Sequence, residues 1–330
     1  MAKFNEGYKN IKVKLISWTG EDLAKQCYEF GRYGMDSMSI DRDEYDANEV
    51  KSKIFVCDLV NGKTFPKYAM YGTRINFSIE GISRICLAQL TRDNAYFCSE
   101  SHGLRPLSQE FNIPLCIAKD ESIMSKVKQA QSLLEEAYIE ACEKELPYPE
   151  TRYIALHSQT ISVSASYTPA DFARACYSRT NNSFCDELNY VYRKMYYELQ
   201  KAINNLTNVD SRLIWSWLIN QKRCIDDSYY TRTNVFNGDF NPYDAISHQV
   251  AYPAQNDWRK SGWKLELQRI LEEEPELLTF KEKECIRSWN TQELFDEELY
   301  TTYDGTDERV AKNAIKNTDY YKEHKNEEGL

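Results

Sequence analysis

The chain has 330 residues, of which 42% are hydrophobic and 28% charged, and its formal net charge at pH 7 is −10. This length and composition are those of a globular protein with a sizeable core. The acidic balance argues against binding of nucleic acid through a broad basic surface. No segment approaches eighteen apolar residues and no signal peptide precedes the first elements, so we expect a soluble, cytoplasmic protein without a membrane partner.

The motifs of several common protein classes are missing from the sequence. It contains no P-loop, no G-x-G-x-x-G and no G-x-S-x-G. Its ten cysteines are scattered without a C-x-x-C pair and are accompanied by only four histidines, which indicates buried thiols rather than disulfides or a metal site. Binding of a small phosphorylated ligand is still compatible with the composition, because even an acidic protein can place a few arginines around such a ligand.

The first eighty residues predict alternating strands and helices. Alternation of apolar and polar residues predicts strands over 11–18, 53–59 and 68–78, and helical spacing predicts a helix over 23–32. The polar, charged stretch between residues 36 and 53 is typical of a loop with a short helix.

The stretch 77–105 organises the rest of the chain. Its first half predicts a short amphipathic helix, in which Ile82, Ile85, Cys86 and Leu90 recur at helical spacing. A polar loop with Gly103 follows. Gln89 and Arg92 project from one helix face, and the arginines with the loop N–H groups suit a phosphate. The alternative is a surface helix with a solvated loop.

Longer helices are predicted further along the chain. A helix over 122–145 ends before Pro147 and Pro149, residues 152–163 read as a helix turning into a strand, and Thr168-Pro169 begins a helix that runs to about residue 179. Another helix follows residues 181–183. The stripe expected to pack the first of these helices is Ile123, Val127, Ala130, Leu133, Leu134, Ala137, Tyr138 and Ala141.

A weak change of character near residue 205 predicts two regions. Residues 1–205 form the main domain, and residues 206–330 form a mainly helical C-terminal extension of unknown role. Within the extension, 227–262 reads as a loop and 264–300 as acidic helix, and the polar tail from about 304 is expected to be partly mobile.

Residues 79–92, IEGISRICLAQLTR, closely resemble the signature helix of the flavin-dependent (alternative) thymidylate synthase family. The resemblance extends to VKLISWTGEDLA at 13–24 and to three later residues: Arg152 in ETRYIAL, Arg179 in ACYSR, and Glu187 in the next helix. It covers residues 11 to 205 and leaves the last 125 unmatched.

The resemblance implies an α/β fold with a mixed sheet flanked by helices, assembled as a homotetramer with shared active sites. It also implies an enzyme that converts deoxyuridylate to thymidylate. The substrate is then a pyrimidine deoxynucleotide monophosphate, the cofactor is FAD, and methylenetetrahydrofolate and NADPH are co-substrates that supply the one-carbon unit and the reducing power. The protein itself contributes orientation and electrostatics.

The resemblance also assigns roles to single residues. Arg179 is the catalytic residue that faces the ring imide and activates carbon 5, while Arg105, Arg152 and the backbone at 101–103 bind phosphate. The FAD contacts are Arg92, Asp93, Asn94 and Glu100. The residues that line the deoxynucleotide site are Gln89, Arg92, Glu100, Ser101, His102, Gly103, Arg105, Arg152 and Arg179.

The sequence departs from the family pattern mainly on the flavin side. The family's R-H-R is Arg92-Asp93-Asn94 here, and an acid near a pyrophosphate should weaken its binding. Residues 64–68 lack the family's histidine, and the family's asparagines are absent at Thr168 and Arg174. In the loop, the family serine falls at His102 and the closing arginine comes one place late.

These departures leave two further hypotheses open. In a hydroxymethylase variant, water rather than hydride meets the exocyclic methylene intermediate, and His102 is either a proton relay or a loop histidine bonded to a carbonyl. The other hypothesis is a catalytically silent homologue that keeps the fold and the phosphate site.

Overall fold

A computed structural model describes residues 2–35, 45–46, 48–49, 52–56, 73–99, 110–181, 186–220, 261–278 and 280–287. Internal contacts divide the chain into two compact units. The first comprises Met1–Pro114 and Asp120–Ala251, and the second comprises Leu115–Lys119 and Tyr252–Leu330.

The described strands lie in the first unit, in two groups. Four of them form a sheet of order β2-β3-β6-β4 in which each neighbouring pair is antiparallel. The other two, β1 and β5, pair in parallel. In chain order the strands are β1 Lys3–Glu6, β2 Lys12–Trp18, β3 Ile75–Ser83, β4 Tyr96–Ser99, β5 Glu110–Ile113 and β6 Thr160–Tyr167.

The first unit contains the helices α1 Leu23–Met35, α2 Arg84–Leu90, α4 Glu121–Glu143, α5 Tyr148–Thr151, α6 Pro169–Asn181, α7 Asp186–Asn204 and α8 Val209–Asn220. Residues 52–56 are also helical. A 3-10 turn, Arg152–Ile154, follows α5. The second unit contains α3 Leu115–Ala118, α9 Ser261–Glu273, a 3-10 turn Pro275–Leu277 and α10 Phe280–Arg287.

The central strands are built from alternating residues, as the period of a strand requires. Ile75, Phe77 and Ile79 of β3 are buried, and the residues between them are half-buried. The ring of Phe77 stacks on Phe172 of α6 at 5.4 Å between centroids. Tyr192 of α7 is fully buried, and its ring lies 6.5 Å from the ring of Phe172, measured between centroids. Aromatic packing thus holds α6 and α7 against the sheet.

The predicted fold class, α/β with a sheet flanked by helices, is confirmed. The strand predicted over 11–18 lies at 12–18, and the four predicted helices lie at 23–35, 121–143, 169–181 and 186–204. The change from helix to strand predicted over 152–163 is present as a 3-10 turn at 152–154 followed by β6, which begins at Thr160 and continues to Tyr167. The domain boundary near residue 205 stays a prediction; α8, which follows it, belongs to the first unit. Within the described residues, no helix has the length and apolar character needed to cross a membrane.

Three local predictions were wrong. The helix after residue 77 begins only at Arg84, because Ile82 still pairs with Ile161 in the sheet. The polar loop after α2 contains a strand, β4, which pairs with β6. Residues 52–56 are helical rather than extended; Phe55 and Val56 are buried there while Ile54 is 55% exposed.

The stripe predicted to pack α4 against the chain was wrong in part. Ile123 is 45% exposed and Leu133 is 65% exposed. The buried residues of α4 are Met124, Gln131 and Ala141, so the helix packs through the neighbouring side.

Several predictions fall outside the described residues. They are most of the loop at 36–53, the strands at 57–59 and 68–72, the loop at 227–260, the helix beyond 287 and the tail from 304.

Candidate active site

The family-like motif folds as a strand, a kink and a helix start. Gly81 has a φ of +81°, a conformation that glycine adopts without strain, and the pairing of β3 with β6 shifts register between Ile79 and Ile82. Ser83 then caps α2, since its side chain accepts a hydrogen bond from the Cys86 N–H at 3.1 Å. The kink and cap fix the direction in which α2 leaves the sheet.

Glu187 supports this helix start from α7. Its carboxylate accepts hydrogen bonds from the Ser83 N–H at 2.7 Å, from Ser83 Oγ at 2.5 Å and from Asn112 Nδ2 at 2.8 Å. Burial raises the pKa of Glu187, although these hydrogen bonds oppose the shift. Asn112 Nδ2 also donates to the Gly81 carbonyl at 2.7 Å. Glu187 therefore holds the kink and cap in place.

At the other end of α2, Asp93 and Arg179 form an ion pair. Arg179 Nη2 lies 2.6 Å from Asp93 Oδ1, and Arg179 Nε lies 3.0 Å from the same oxygen. The Asp93 side chain is 8% exposed and the Arg179 side chain 21%. Burial opposes the charge on Arg179, but the hydrogen bonds and charge of Asp93 outweigh it and raise the pKa of Arg179.

Two buried tyrosines extend the pair into the core. Tyr192 Oη donates to Asp93 Oδ2 at 2.6 Å, and the hydroxyls of Tyr192 and Tyr167 lie 2.9 Å apart. Because Tyr192 has one proton and gives it to Asp93, Tyr167 must be the donor between the two hydroxyls. Burial raises the pKa of both tyrosines well above the usual value. The chain of donors runs from Tyr167 through Tyr192 to Asp93.

Asn94 makes a second connection to α6, the helix that carries Arg179. Its Nδ2 donates to Asp171 Oδ1 at 2.7 Å, and Asp171 Oδ2 accepts from the Thr168 hydroxyl at 2.6 Å. Asp171 and Arg179 are eight residues apart on α6, which corresponds to about 12 Å of helix. The neighbouring side chains of Asp93 and Asn94 therefore bind both ends of α6.

The described part of the chain brings some of the predicted site residues together. Gln89 is half-buried near the end of α2, Arg92 follows it in an exposed position, and Asp93 reaches Arg179. Arg152 begins a 3-10 turn, and the role of its side chain stays a prediction. The loop residues Glu100, Ser101, His102, Gly103 and Arg105 lie outside the described residues.

The sequence interpretation missed Tyr167, Tyr192 and Asp171. Tyr192 lies on the helical stripe of Leu188, Met195 and Leu199, all of them buried, so its position predicts a core residue. A tyrosine in a core needs a partner for its hydroxyl, and that requirement is the signal that could have indicated a buried acid nearby.

The arrangement can bind and orient a planar polar group. Arg179 uses Nε and Nη2 on Asp93, and among the described residues its Nη1 donates no hydrogen bond. The carboxylate fixes the plane of the guanidinium, so the remaining N–H groups have a defined direction. The pair can therefore offer directed donors with little net charge.

No protein-family model matches the sequence, and no curated protein matches it. Similar solved structures include a UMP/dUMP methylase, PolB, from Streptomyces cacaoi bound with 5-Br dUMP. It is 14% identical, with a TM-score of 0.47, over 63% of this chain and 99% of that chain.

Another similar structure is ThyX from Helicobacter pylori complexed with FAD and dUMP. It is 18% identical, with a TM-score of 0.41, over 57% of this chain and 93% of that chain. That protein is a flavin-dependent thymidylate synthase, the family that the motif at 79–92 resembles.

Proposed function

We propose that this protein is a divergent enzyme of the flavin-dependent thymidylate synthase type, which transfers a one-carbon unit to carbon 5 of a pyrimidine deoxynucleotide monophosphate. The strongest support is that residues far apart in the sequence, all identified by the resemblance, lie close together in the structure. The resemblance singles out residues 79–92, Arg179 and Glu187, and the two later residues contact the two ends of α2: Glu187 at Ser83 and Arg179 at Asp93.

In this proposal Arg179 binds the polar edge of the base. Its Nη1 group donates to a ring carbonyl, while Asp93 holds the guanidinium plane. Because Asp93 offsets part of the positive charge, Arg179 acts more by orientation than by stabilising a free anion of the ring. Tyr192 and Tyr167 keep Asp93 in place from the core side.

The phosphate is bound by the arginines that the resemblance assigns to it, Arg105 and Arg152, with Gln89 and the backbone at 101–103 beside them. Guanidinium groups suit a phosphate because they donate two parallel charge-assisted hydrogen bonds. Arg92 is exposed directly after α2 and is available to the same ligand or to a cofactor.

The residues assigned to FAD fit it unevenly. Arg92 is an exposed cation that could hold a diphosphate, whereas Asp93 is paired with Arg179 and Asn94 with Asp171. When bound, FAD supplies hydride, and NADPH and methylenetetrahydrofolate are then its co-substrates. In that case this chain's contribution to the flavin site is Arg92, with Glu100 from the loop.

One observation favours a second candidate, a deoxypyrimidine monophosphate hydroxymethylase. Asp93 and Asn94 are occupied by protein partners rather than turned toward a cofactor. A hydroxymethyl product needs water instead of hydride at the exocyclic methylene, so it tolerates loss of flavin contacts. In both candidates the one-carbon unit comes from methylenetetrahydrofolate and the proton on carbon 5 is lost.

We further propose that the enzyme acts in the cytoplasm as a homotetramer with active sites shared between subunits, as the resemblance implies.

The cofactor and the ligand can be tested separately. A flavin absorbance spectrum of the purified protein, or uptake of added FAD, supports the methyl-transferring candidate. Calorimetric titration with deoxyuridylate and deoxycytidylate should give binding that is lost in Arg179→Ala and kept in Arg212→Ala, an exposed arginine on α8. Binding of neither nucleotide to the folded protein would contradict the proposal, and nucleotide binding without product would identify the silent homologue.

A further inference from the structure

Asp93 changes the charge that a ligand of Arg179 meets. It stands at the histidine of the family's R-H-R, and its carboxylate lies 2.6 Å from the guanidinium of Arg179. A guanidinium without such a partner favours a uracil ring that has lost its N3 proton, because that form of the ring is an anion. Beside the carboxylate this preference is removed, since the pair as a whole carries little net charge.

Asp93 is held in the pair from the core side. Tyr192 Oη donates a hydrogen bond to its carboxylate at 2.6 Å, and the Asp93 side chain is 8% exposed. Little water therefore screens the carboxylate from a ligand bound to Arg179. A ring anion bound there would lie close to the carboxylate, and like charges that are poorly screened repel each other.

The titratable groups packed around the pair are neutral. They are Tyr167 of β6, Tyr192 of α7 and Cys176 of α6. Burial raises the pKa of each of these groups well above its usual value, so all three keep their protons into the alkaline range. Among the described residues, Asp93 and Arg179 form no ion pair except with each other. The net charge of the site is therefore the same at neutral and at alkaline pH.

The other charged side chains on α6 and at the end of α2 do not alter this balance. Asp171 and Arg174 lie 3.8 Å apart on α6 and offset each other. Arg92 is exposed after α2, where water and salt screen its charge. Arginine and aspartate side chains keep their charges throughout the alkaline range. A change in base binding with alkaline pH must therefore come from the ligand.

We propose that Asp93 makes the base site selective for a neutral pyrimidine ring, either uracil with its N3 proton in place or cytosine, and that it excludes the ring anion. This inference rests on the proposed function, because it takes Arg179 as the residue that binds the base. Asp93, to which the resemblance assigns a cofactor contact, then acts on the substrate through Arg179 and is a positioning residue that sets specificity.

The test compares two ligands by calorimetric titration of the full-length chain at a series of pH values above 7. The ligands are dUMP and 5-Br dUMP. Bromine at carbon 5 withdraws electrons, so 5-Br dUMP loses its ring proton at a lower pH than dUMP does. The phosphate does not interfere, because its second pKa is about 6 and both ligands carry the same phosphate charge throughout.

For wild type, the affinity for 5-Br dUMP relative to dUMP should fall as the brominated ring ionises. A ligand that binds only in its neutral form loses affinity in proportion to the neutral fraction, which is about tenfold for each pH unit above its ring pKa. In Asp93→Asn, Arg179 becomes an unpaired cation, so the relative affinity should stay level or rise with pH. The matched control is Asp22→Asn, an exposed aspartate before α1, which should keep the wild-type fall.

The outcomes separate this inference from the proposed function. Wild type that binds 5-Br dUMP equally well or more tightly as its ring ionises would overturn the inference alone, since nucleotide binding itself supports the function. A folded Asp93→Asn variant with the wild-type fall would also overturn it, because the selectivity would then come from another group. Circular dichroism checks that each variant is folded. Absence of binding of either nucleotide to folded wild type would overturn the proposed function and this inference with it.

Discussion

The Asp93–Arg179 pair makes a specific prediction for the stability of the fold. Asp93→Asn keeps the shape of the side chain but removes the negative charge, leaving Arg179 with 21% of its side chain exposed and no carboxylate beside it. Breaking a buried ion pair by removing one partner costs about 3–5 kcal/mol. Because water reaches a fifth of Arg179, we expect a smaller loss, about 2–3 kcal/mol of the free energy of unfolding.

The assay is urea unfolding of four proteins: wild type, Asp93→Asn, Arg179→Met and the double variant. If the pair accounts for the loss, the double variant is less destabilised than the sum of the single variants, with a coupling energy of about 1.5–3 kcal/mol. Methionine suits position 179 because it keeps an unbranched stem without the charge.

Additive single effects would refute this reasoning. A coupling energy below about 0.5 kcal/mol means that the two side chains act independently, and the site built around their contact would then be incorrect. Arg212→Met combined with Asp93→Asn is the control, since Arg212 is exposed on α8 and should show no coupling.

Further predictions concern neighbouring residues. Tyr192→Phe should cost about 1–2 kcal/mol in urea unfolding, because it leaves Asp93 with one donor fewer and Tyr167 without an acceptor; an unchanged stability would contradict the donor chain. Glu187→Ala should cost more than Glu187→Gln, which can still accept from Ser83. Because burial raises the pKa of Glu187, its contribution to the free energy of unfolding is full below the unfolded pKa and is lost as pH rises through the higher folded pKa. Wild type should therefore lose stability relative to Glu187→Gln as pH rises above the ordinary pKa of a glutamate, about 4.3; a flat difference would contradict this. Arg152→Ala should weaken nucleotide binding by about 1.5–3 kcal/mol but leave nucleoside binding unchanged, measured by calorimetry; equal losses for both ligands would exclude a phosphate role.

Much of the fold could be predicted from the sequence because the signals for individual strands and helices lie within a few neighbouring residues. Alternation marks β2 and helical spacing marks α7, and the Thr168-Pro169 pair marks the start of α6 with a side chain that caps its own helix. The boundary between β3 and α2 could not be placed, because Ile82 lies three residues before Ile85 and four before Cys86, a spacing typical of a helix. Long-range pairing with β6 decided that Ile82 belongs to the strand.

The sequence identified several residues of the candidate site but not the contacts between them. The motif indicated Arg179 and Asp93 separately, as a substrate residue and a cofactor residue, 86 positions apart. That they bind each other depends on how α6 packs against the end of α2, which no local pattern encodes. Tyr167 and Tyr192 were missed because in the sequence they read as ordinary core aromatics.

The most direct test of the proposed function is product analysis by mass spectrometry. The purified chain is incubated with FAD, NADPH and methylenetetrahydrofolate, and with deoxyuridylate or deoxycytidylate. We predict a nucleotide heavier by one CH₂ for methyl transfer or by one CH₂O for hydroxymethyl transfer, formed by wild type and Arg212→Ala and not by Arg179→Ala. Unmodified nucleotide in every reaction with folded wild-type protein would contradict an enzyme that acts on carbon 5 of a pyrimidine nucleotide.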